Sequence, residues 1–273
     1  MQDFTYHRPR DIAAAAALMR EAQDPKILAG GMTLLPTMKQ RLAAPTDLID
    51  LGAIPSLVGI RREGSELVIG SMTCHADVHA SPEVRLAIPA LSVLAGSIGD
   101  PAVRNRGTIG GSIANADPAS DYPAAILGLS AVVETSERRI AGDEFFLGLF
   151  ETALAPAEIV TAVRFPLPDD ARYKKFPHPA SGYPVVGVMV ARTGTYVRVA
   201  VTGAGPKAFR VAEMEEALAQ RFAPDSIAHI RVPSEELMGD LHCSAVYRSH
   251  VITVLAQRAV EDFAGPTSGS SAA

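Results

Sequence analysis

The order of apolar and polar positions divides the first third of the chain into short alternating elements. Phe4 and Tyr6 read as an opening strand, and Asp11 is placed to cap a helix over Ile12–Ala22, whose alanine run has high helix propensity. Lys26–Ala29 reads as a strand that stops at Gly30-Gly31. Thr33 stands where it would cap a second helix reaching about Arg41, and Leu48–Leu51 is a third strand. The sequence β-α-β-α-β in about fifty residues predicts a compact α/β unit. Next, Leu57–Ile60 and Leu67–Ile69 read as strands joined by the charged turn Arg61–Ser65, Ser71–Asp77 leads into a helical region, and Pro89–Ile98 continues as helix. Ala124–Gly128 reads as helix, Ala131–Thr135 and Ile159–Phe165 as strands, and Asp143–Phe146 as a polar-to-aromatic patch.

The strongest break is Phe165-Pro166-Leu167-Pro168-Asp169-Asp170, two prolines followed by two acids. It divides a first domain, 1–168, with subdomains of about 1–55 and 56–168, from a second at 169–264. In the second, Val185–Ala191 and Tyr196–Val201 read as hairpin strands with Gly194 in the turn, and Ala212–Gln220 and Ala245–Phe263 read as helices. The Gly/Ser/Ala segment 265–273 is expected to be disordered. No internal repeat is visible.

Composition narrows the function. The 273 residues are 48% hydrophobic and 20% charged, with net charge −5, as in a soluble globular protein able to bury a substantial core. The acidic balance, 5% aromatics and absence of tryptophan argue against nucleic-acid binding. The longest apolar run, Ala124–Val133, is interrupted by Gly128 and Ser130, far short of the roughly 20 residues of a membrane span. The opening MQDFTYHRPR lacks a signal-peptide core, so a cytoplasmic protein is expected. Cys74 and Cys243 are the two cysteines. Without Cys-x-x-Cys spacing they predict free thiols and no zinc or iron–sulfur site in this chain.

The candidate chemistry lies in two glycine pairs. Ala29-Gly30-Gly31-Met32-Thr33 follows a strand and precedes a helix, where bare backbone N–H groups could meet phosphate oxygens without an intervening Cβ. Thr108-Ile109-Gly110-Gly111 sits in Asp100–Asp121, a stretch too rich in small and polar residues to read as packed helix or strand, with Ser112, Asn115, Asp117, Ser120 and Asp121 following it. Neither pair is a Rossmann fingerprint or a P-loop. Together they suggest a cradle for a large, flat, phosphorylated ligand, a flavin dinucleotide.

AGGMTLLPTMK followed by DPAVRNRGTIGGSIANADPASDYPAAIL closely resembles the FAD-binding medium subunit of the molybdenum hydroxylases, the carbon monoxide dehydrogenase and xanthine dehydrogenase group. The similarity runs from Phe4 to about Phe263 and includes Ser181–Gly187 and Ser244-Ala245-x-Tyr247-Arg248. The resemblance implies an α+β fold, an FAD-binding domain of vanillyl-alcohol-oxidase (PCMH) type in two α/β subdomains, with a small antiparallel sheet and helices completing the flavin pocket. It implies noncovalent FAD between Ala29–Thr33 and Thr108–Gly111, since the first motif holds Met32 and Thr33 and no histidine. It also implies Asp121 near the dinucleotide, Lys175 near the isoalloxazine in a Tyr-x-Lys element and Tyr183 in the pocket-forming loop. Ile159, at the end of an apolar run, stands either against the ring system or simply in the core. It implies no catalytic residue here. The molybdenum cofactor would sit in a large subunit and two [2Fe–2S] clusters in a small one, in a dimer of heterotrimers that is cytoplasmic or held peripherally at the inner membrane.

Other features stay open at this level. Cys74-His75-Ala76-Asp77-Val78-His79 puts two histidines one helical turn apart, but no further ligand cluster accompanies them. Arg104 and Arg106 suit either a partner or flavin-side role, or a solvated loop. A stand-alone flavin oxidoreductase and a flavin-free docking subunit are the competing readings. The substrate of the complex and its terminal acceptor are not encoded in these motifs.

Overall fold

A computed structural model describes residues 1–263; the tail expected to be disordered lies outside the described residues. The first fifty residues form a three-stranded parallel sheet in the order Thr5–His7, Asp47–Asp50, Pro25–Leu28, with helices Ile12–Glu21 and Leu34–Lys39 as crossovers. Asp11 caps the first helix, its carboxylate accepting from Ala14 N at 2.7 Å. Thr33 occupies the cap position of the second helix but makes no side-chain cap bond. The backbone there is already helical, φ −106° and ψ −52°, and not in the extended conformation from which a cap side chain normally reaches the free N–H groups.

A five-stranded antiparallel sheet follows, in the order Ile60–Glu63, Glu66–Gly70, Val160–Pro166, Val132–Thr135, Arg139–Ala141. The strand expected at Leu57–Ile60 begins only at Ile60, because Pro55 opens a single 3₁₀ turn, Pro55–Leu57, that buries Leu57. Helices His75–Ala80, Pro82–Ala87 and Pro89–Gly96 pack with one another, and the last of them packs on Tyr122–Gly128, whose seven residues are all buried. The glycine-rich segment holds a helix, Ile109–Asn115, where an irregular loop was expected.

The last sheet is antiparallel: Asp170–Pro177, Pro184–Thr193, Tyr196–Thr202, Phe209–Arg210. Helices Ala212–Gln220 and Ala245–Phe263 cover one face, while Pro89–Gly96 and Tyr122–Gly128 press on the other. A strand covered on both faces reads as a continuous apolar run, as Pro184–Ala191 does. Val186, Val188 and Val190 join the core under the C-terminal helices, whereas Met189 and Ala191 join that of the preceding helices. The first strand of this sheet, Asp170–Pro177, is absent from the pattern read above, although Ala171 and Tyr173 are buried in alternation. No described helix is long and apolar enough to cross a membrane, and both cysteines are free thiols.

Candidate functional site

Strand Pro25–Leu28 delivers the chain into the first glycine pair, and Gly31 turns it into the next helix with φ +76°. Gly30 is pressed against the second glycine segment: a Cβ there would lie 2.0 Å from the Arg106 carbonyl oxygen and 2.8 Å from Gly107 Cα. The N–H groups of Gly30, Gly31, Met32 and Thr33 donate to nothing among the described residues. Gly30 and Gly31 are buried, Met32 and Thr33 exposed.

The second pair is built differently. Thr108 caps helix Ile109–Asn115, its hydroxyl accepting from Gly111 N at 3.1 Å. The next donors are also engaged, Ile109 N with Thr73 O at 3.2 Å and Gly110 N with Ser71 O at 2.8 Å. Gly110 permits that approach, since a Cβ would fall 2.5 Å from Ser71 Cβ. A Cβ on Gly111 would lie 3.2 Å from Ala29 Cβ, so the two glycine segments meet along a seam. Free backbone donors therefore concentrate in the first segment. The second offers the Thr108 hydroxyl hydrogen, the Ser112 hydroxyl and the Asn115 amide, and the last two make no side-chain hydrogen bond to the described residues.

A cavity of about 360 Å³ runs along the seam, a size typical of small-molecule sites. It takes in all of Ala29–Thr33, together with Thr108, Gly110, Gly111, Ser112, Asn115, Asp121, Ile159 and Tyr183. Two residues expected at the site stand back from it. Ile109 is fully buried in the core. The Lys175 ammonium is committed to Asp121, 2.9 Å away, and to Ser97 O at 3.0 Å. Ile159 closes the end formed by Ile27, Leu51 and Met72, while Tyr183, about half exposed, comes from the turn after strand Asp170–Pro177.

Ser71, His75, Asp117, Ser120 and Glu158 also line the cavity and were not among the residues expected to hold a ligand. Ser71 Oγ and His75 Nδ1 are buried without a hydrogen-bond partner among the described residues. No local pattern marks Ser71; it becomes visible only once Gly110 is seen docked on it. Burial, with nearby Arg104, pulls the His75 imidazole down to about 4, so it is neutral at physiological pH. Arg104 itself is tied to the carbonyls of Ile98 and Gly99 at 2.9 and 3.1 Å. His79 bonds Ser92 O at 2.9 Å, and no group of three or more metal-ligating side chains forms among the described residues.

The charged groups of the cavity are strongly biased. Burial pushes the Asp121 carboxyl up against the opposing pull of Lys175 and Tyr173. Burial, then Asp117 and Asp121, raise the Tyr183 phenol. At Glu158 burial opposes the charge, but Arg138, Ala155 N–H and the Thr135 hydroxyl outweigh it and hold the carboxyl at about 2.

Residues 2–168 match the family described as FAD binding domain in molybdopterin dehydrogenase. The chain is 37% identical to the carbon monoxide dehydrogenase medium chain of Hydrogenophaga pseudoflava, across 94% of this chain and 96% of that one. It is 34% identical to the nicotine 6-hydroxylase medium subunit of Paenarthrobacter nicotinovorans, across 93% and 95%. Its fold superposes on a chain of reconstituted carbon monoxide dehydrogenase from Oligotropha carboxidovorans with TM-score 0.85 and 33% identity, covering 95% of this chain and 96% of that one. The chain belongs to the FAD-binding family of the molybdopterin dehydrogenases, the medium oxidoreductase subunits of the molybdenum hydroxylases.

Proposed function

We propose that this chain binds one FAD noncovalently in the seam cavity and serves as the electron-transfer subunit of a molybdenum-containing hydroxylase or dehydrogenase complex. One observation carries the reading: two glycine segments eighty residues apart abut along a single cavity, and one of them presents four consecutive N–H groups with no partner among the described residues. The chain fits the dinucleotide on two further counts. Bare glycines at 30 and 110 bring backbone to surfaces that a Cβ would fill. Ser71 Oγ and His75 Nδ1 are buried polar atoms awaiting a partner in the cavity wall, a state that folded proteins seldom leave uncompensated.

The N–H groups of Gly30–Thr33 would hold the diphosphate, with Thr108, Ser112 and Asn115 donating from the facing segment. Ile159 and its apolar neighbours would exclude water at one end, and Tyr183 would cover the ligand at the other. Neutral His75 offers a hydrogen bond without adding charge. Bound FAD supplies a carrier able to take electrons singly from an iron–sulfur cluster and pass them to an acceptor. No side chain here need exchange a proton with the organic substrate. We read 1–168 as the FAD domain and 169–264 as the domain that completes the pocket. The partners would be a molybdenum-cofactor large subunit and a [2Fe–2S] small subunit, in a cytoplasmic dimer of heterotrimers.

The test is isolation of the chain with its co-expressed partners. About one FAD per chain, released intact by acid, with iron and molybdenum in the other subunits, supports the reading. A chain that takes up no FAD refutes it.

A further inference from the structure

The cavity wall at Asp121 is held in place from outside the cavity. Asp121 stands at the start of helix Tyr122–Gly128 and is 3% exposed. Its Oδ1 accepts from the Tyr173 hydroxyl at 2.7 Å, and its Oδ2 accepts from Lys175 Nζ at 3.0 Å. Both donors lie two residues apart on one face of strand Asp170–Pro177, in the second domain, and the Lys175 ammonium is also pinned to Ser97 O. Neither donor lines the cavity, whereas Asp121 does.

The strand next door is shaped around this contact. Gly187 pairs with Lys175 across the ladder, and a Cβ on Gly187 would sit 2.4 Å from the Tyr173 hydroxyl oxygen. The hydroxyl therefore reaches Asp121 only because position 187 has no side chain. A carboxylate has about four lone-pair sites, so two protein donors leave acceptor capacity for a ligand N–H.

We propose that Tyr173, with Gly187 behind it, is a positioning residue for flavin binding: it fixes the Asp121 carboxylate against the cavity so that the carboxylate accepts a hydrogen bond from the bound dinucleotide. Lys175 acts in the same way and balances the charge. The second domain thereby contributes to FAD affinity through Asp121 as well as through Tyr183. The inference rests on the FAD reading of the cavity.

A ligand donor favours ionised Asp121, so FAD affinity falls as pH drops through the range where that carboxyl takes a proton. The groups acting on Asp121 are Lys175 and Tyr173 on the strand, Tyr122 next along the helix and Tyr183 on the turn, and Asp117 lines the same cavity and acts on Tyr183. Removing the Tyr173 hydroxyl strips one donor from the charged form, so the acid limb of the profile moves to higher pH.

The experiment is FAD titration of the 273-residue chain, followed by flavin fluorescence between about pH 5 and pH 9, alongside thermal denaturation of the FAD-free chain. Tyr173→Phe is expected to weaken FAD about tenfold at neutral pH and to shift the acid limb upward. In an Asp121→Ala background the same change is expected to have no further effect, because the acceptor it orients is gone. If Tyr173→Phe does not accumulate folded, Gly187→Ala, which retains the hydroxyl but displaces it, is read identically. Unchanged affinity and profile in these variants, or additive losses in the Asp121→Ala background, overturn the proposal while leaving FAD binding intact. A wild-type chain that binds no FAD overturns the underlying reading instead.

Discussion

Replacing Gly30 with alanine places a methyl carbon 2.0 Å from the Arg106 carbonyl oxygen and 2.7 Å from its carbon. An ordinary contact begins near 3.4 Å, so the two glycine segments must part by about 1.4 Å. The obstacle is backbone, which cannot swing aside as a side-chain tip would. Overpacking of this kind costs about 1–3 kcal/mol, and a backbone neighbour puts Gly30→Ala at the upper end. For a chain of this size, 3 kcal/mol corresponds to a Tm loss on the order of 6–12 °C. Gly111→Ala is the informative comparison. Its methyl meets Thr108 Oγ1 at 3.0 Å and Ala29 Cβ at 3.2 Å, requiring only a few tenths of an ångström. Because Gly111 lies within helix Ile109–Asn115, alanine also recovers about 1 kcal/mol of helix propensity. Thermal denaturation of the FAD-free chain should therefore show a large loss for Gly30→Ala and almost none for Gly111→Ala. FAD titration should show weakened binding in both, since each methyl intrudes on the seam. Gly30→Ala with unshifted Tm and unchanged FAD affinity would refute the claim that the segments abut.

Two further predictions concern titration. Glu158 has its carboxyl held at about 2 against an unfolded value of 4.5, so its stabilisation is complete above about pH 4.5 and fades as pH falls towards 2. Glu158→Gln should lower stability at pH 7 by about 1–3 kcal/mol and flatten the acid-unfolding profile in that window; the same pH dependence of stability in variant and wild type, from denaturant titrations run across the window, would contradict it. His75 is held neutral down to about 4 while the unfolded imidazole protonates near 6.5, so folding becomes less favourable as pH falls between those values. An NMR titration should place the His75 imidazole midpoint near 4, and a midpoint near 6.5 would show that the ring is not buried in the cavity wall.

Much of the fold is legible because local signals agree with it. Helices Ala212–Gln220 and Ala245–Phe263 are found as their periodicity predicts, and the β-α-β-α-β opening follows from three short apolar runs separated by a capped helix and a glycine pair. What was missed depends on partners distant in sequence. Helix Ile109–Asn115 looks like a loop because its glycines are poor helix formers; they serve close approach to Ser71 and Ala29. Strand Asp170–Pro177 was hidden because Arg172, Lys174 and Lys175 interrupt its apolar positions, although alternate burial of Ala171 and Tyr173 is the period-two signal. At the site, the glycine motifs named the seam, yet Lys175 could not be known to spend its ammonium on Asp121 until the second sheet was docked. Thr33 illustrates the limit of cap rules: residue type and position fit, but the backbone dihedrals do not.

The central claim is that the segments at 29–33 and 108–111 hold the diphosphate of FAD between them. A crystal structure of the FAD-bound chain tests it most directly. The account predicts diphosphate oxygens within hydrogen-bond reach of the N–H groups of Gly30–Thr33, with the Thr108 and Ser112 hydroxyls closing from the other side. A diphosphate seated elsewhere, or the two segments drawn apart around it, would contradict the account.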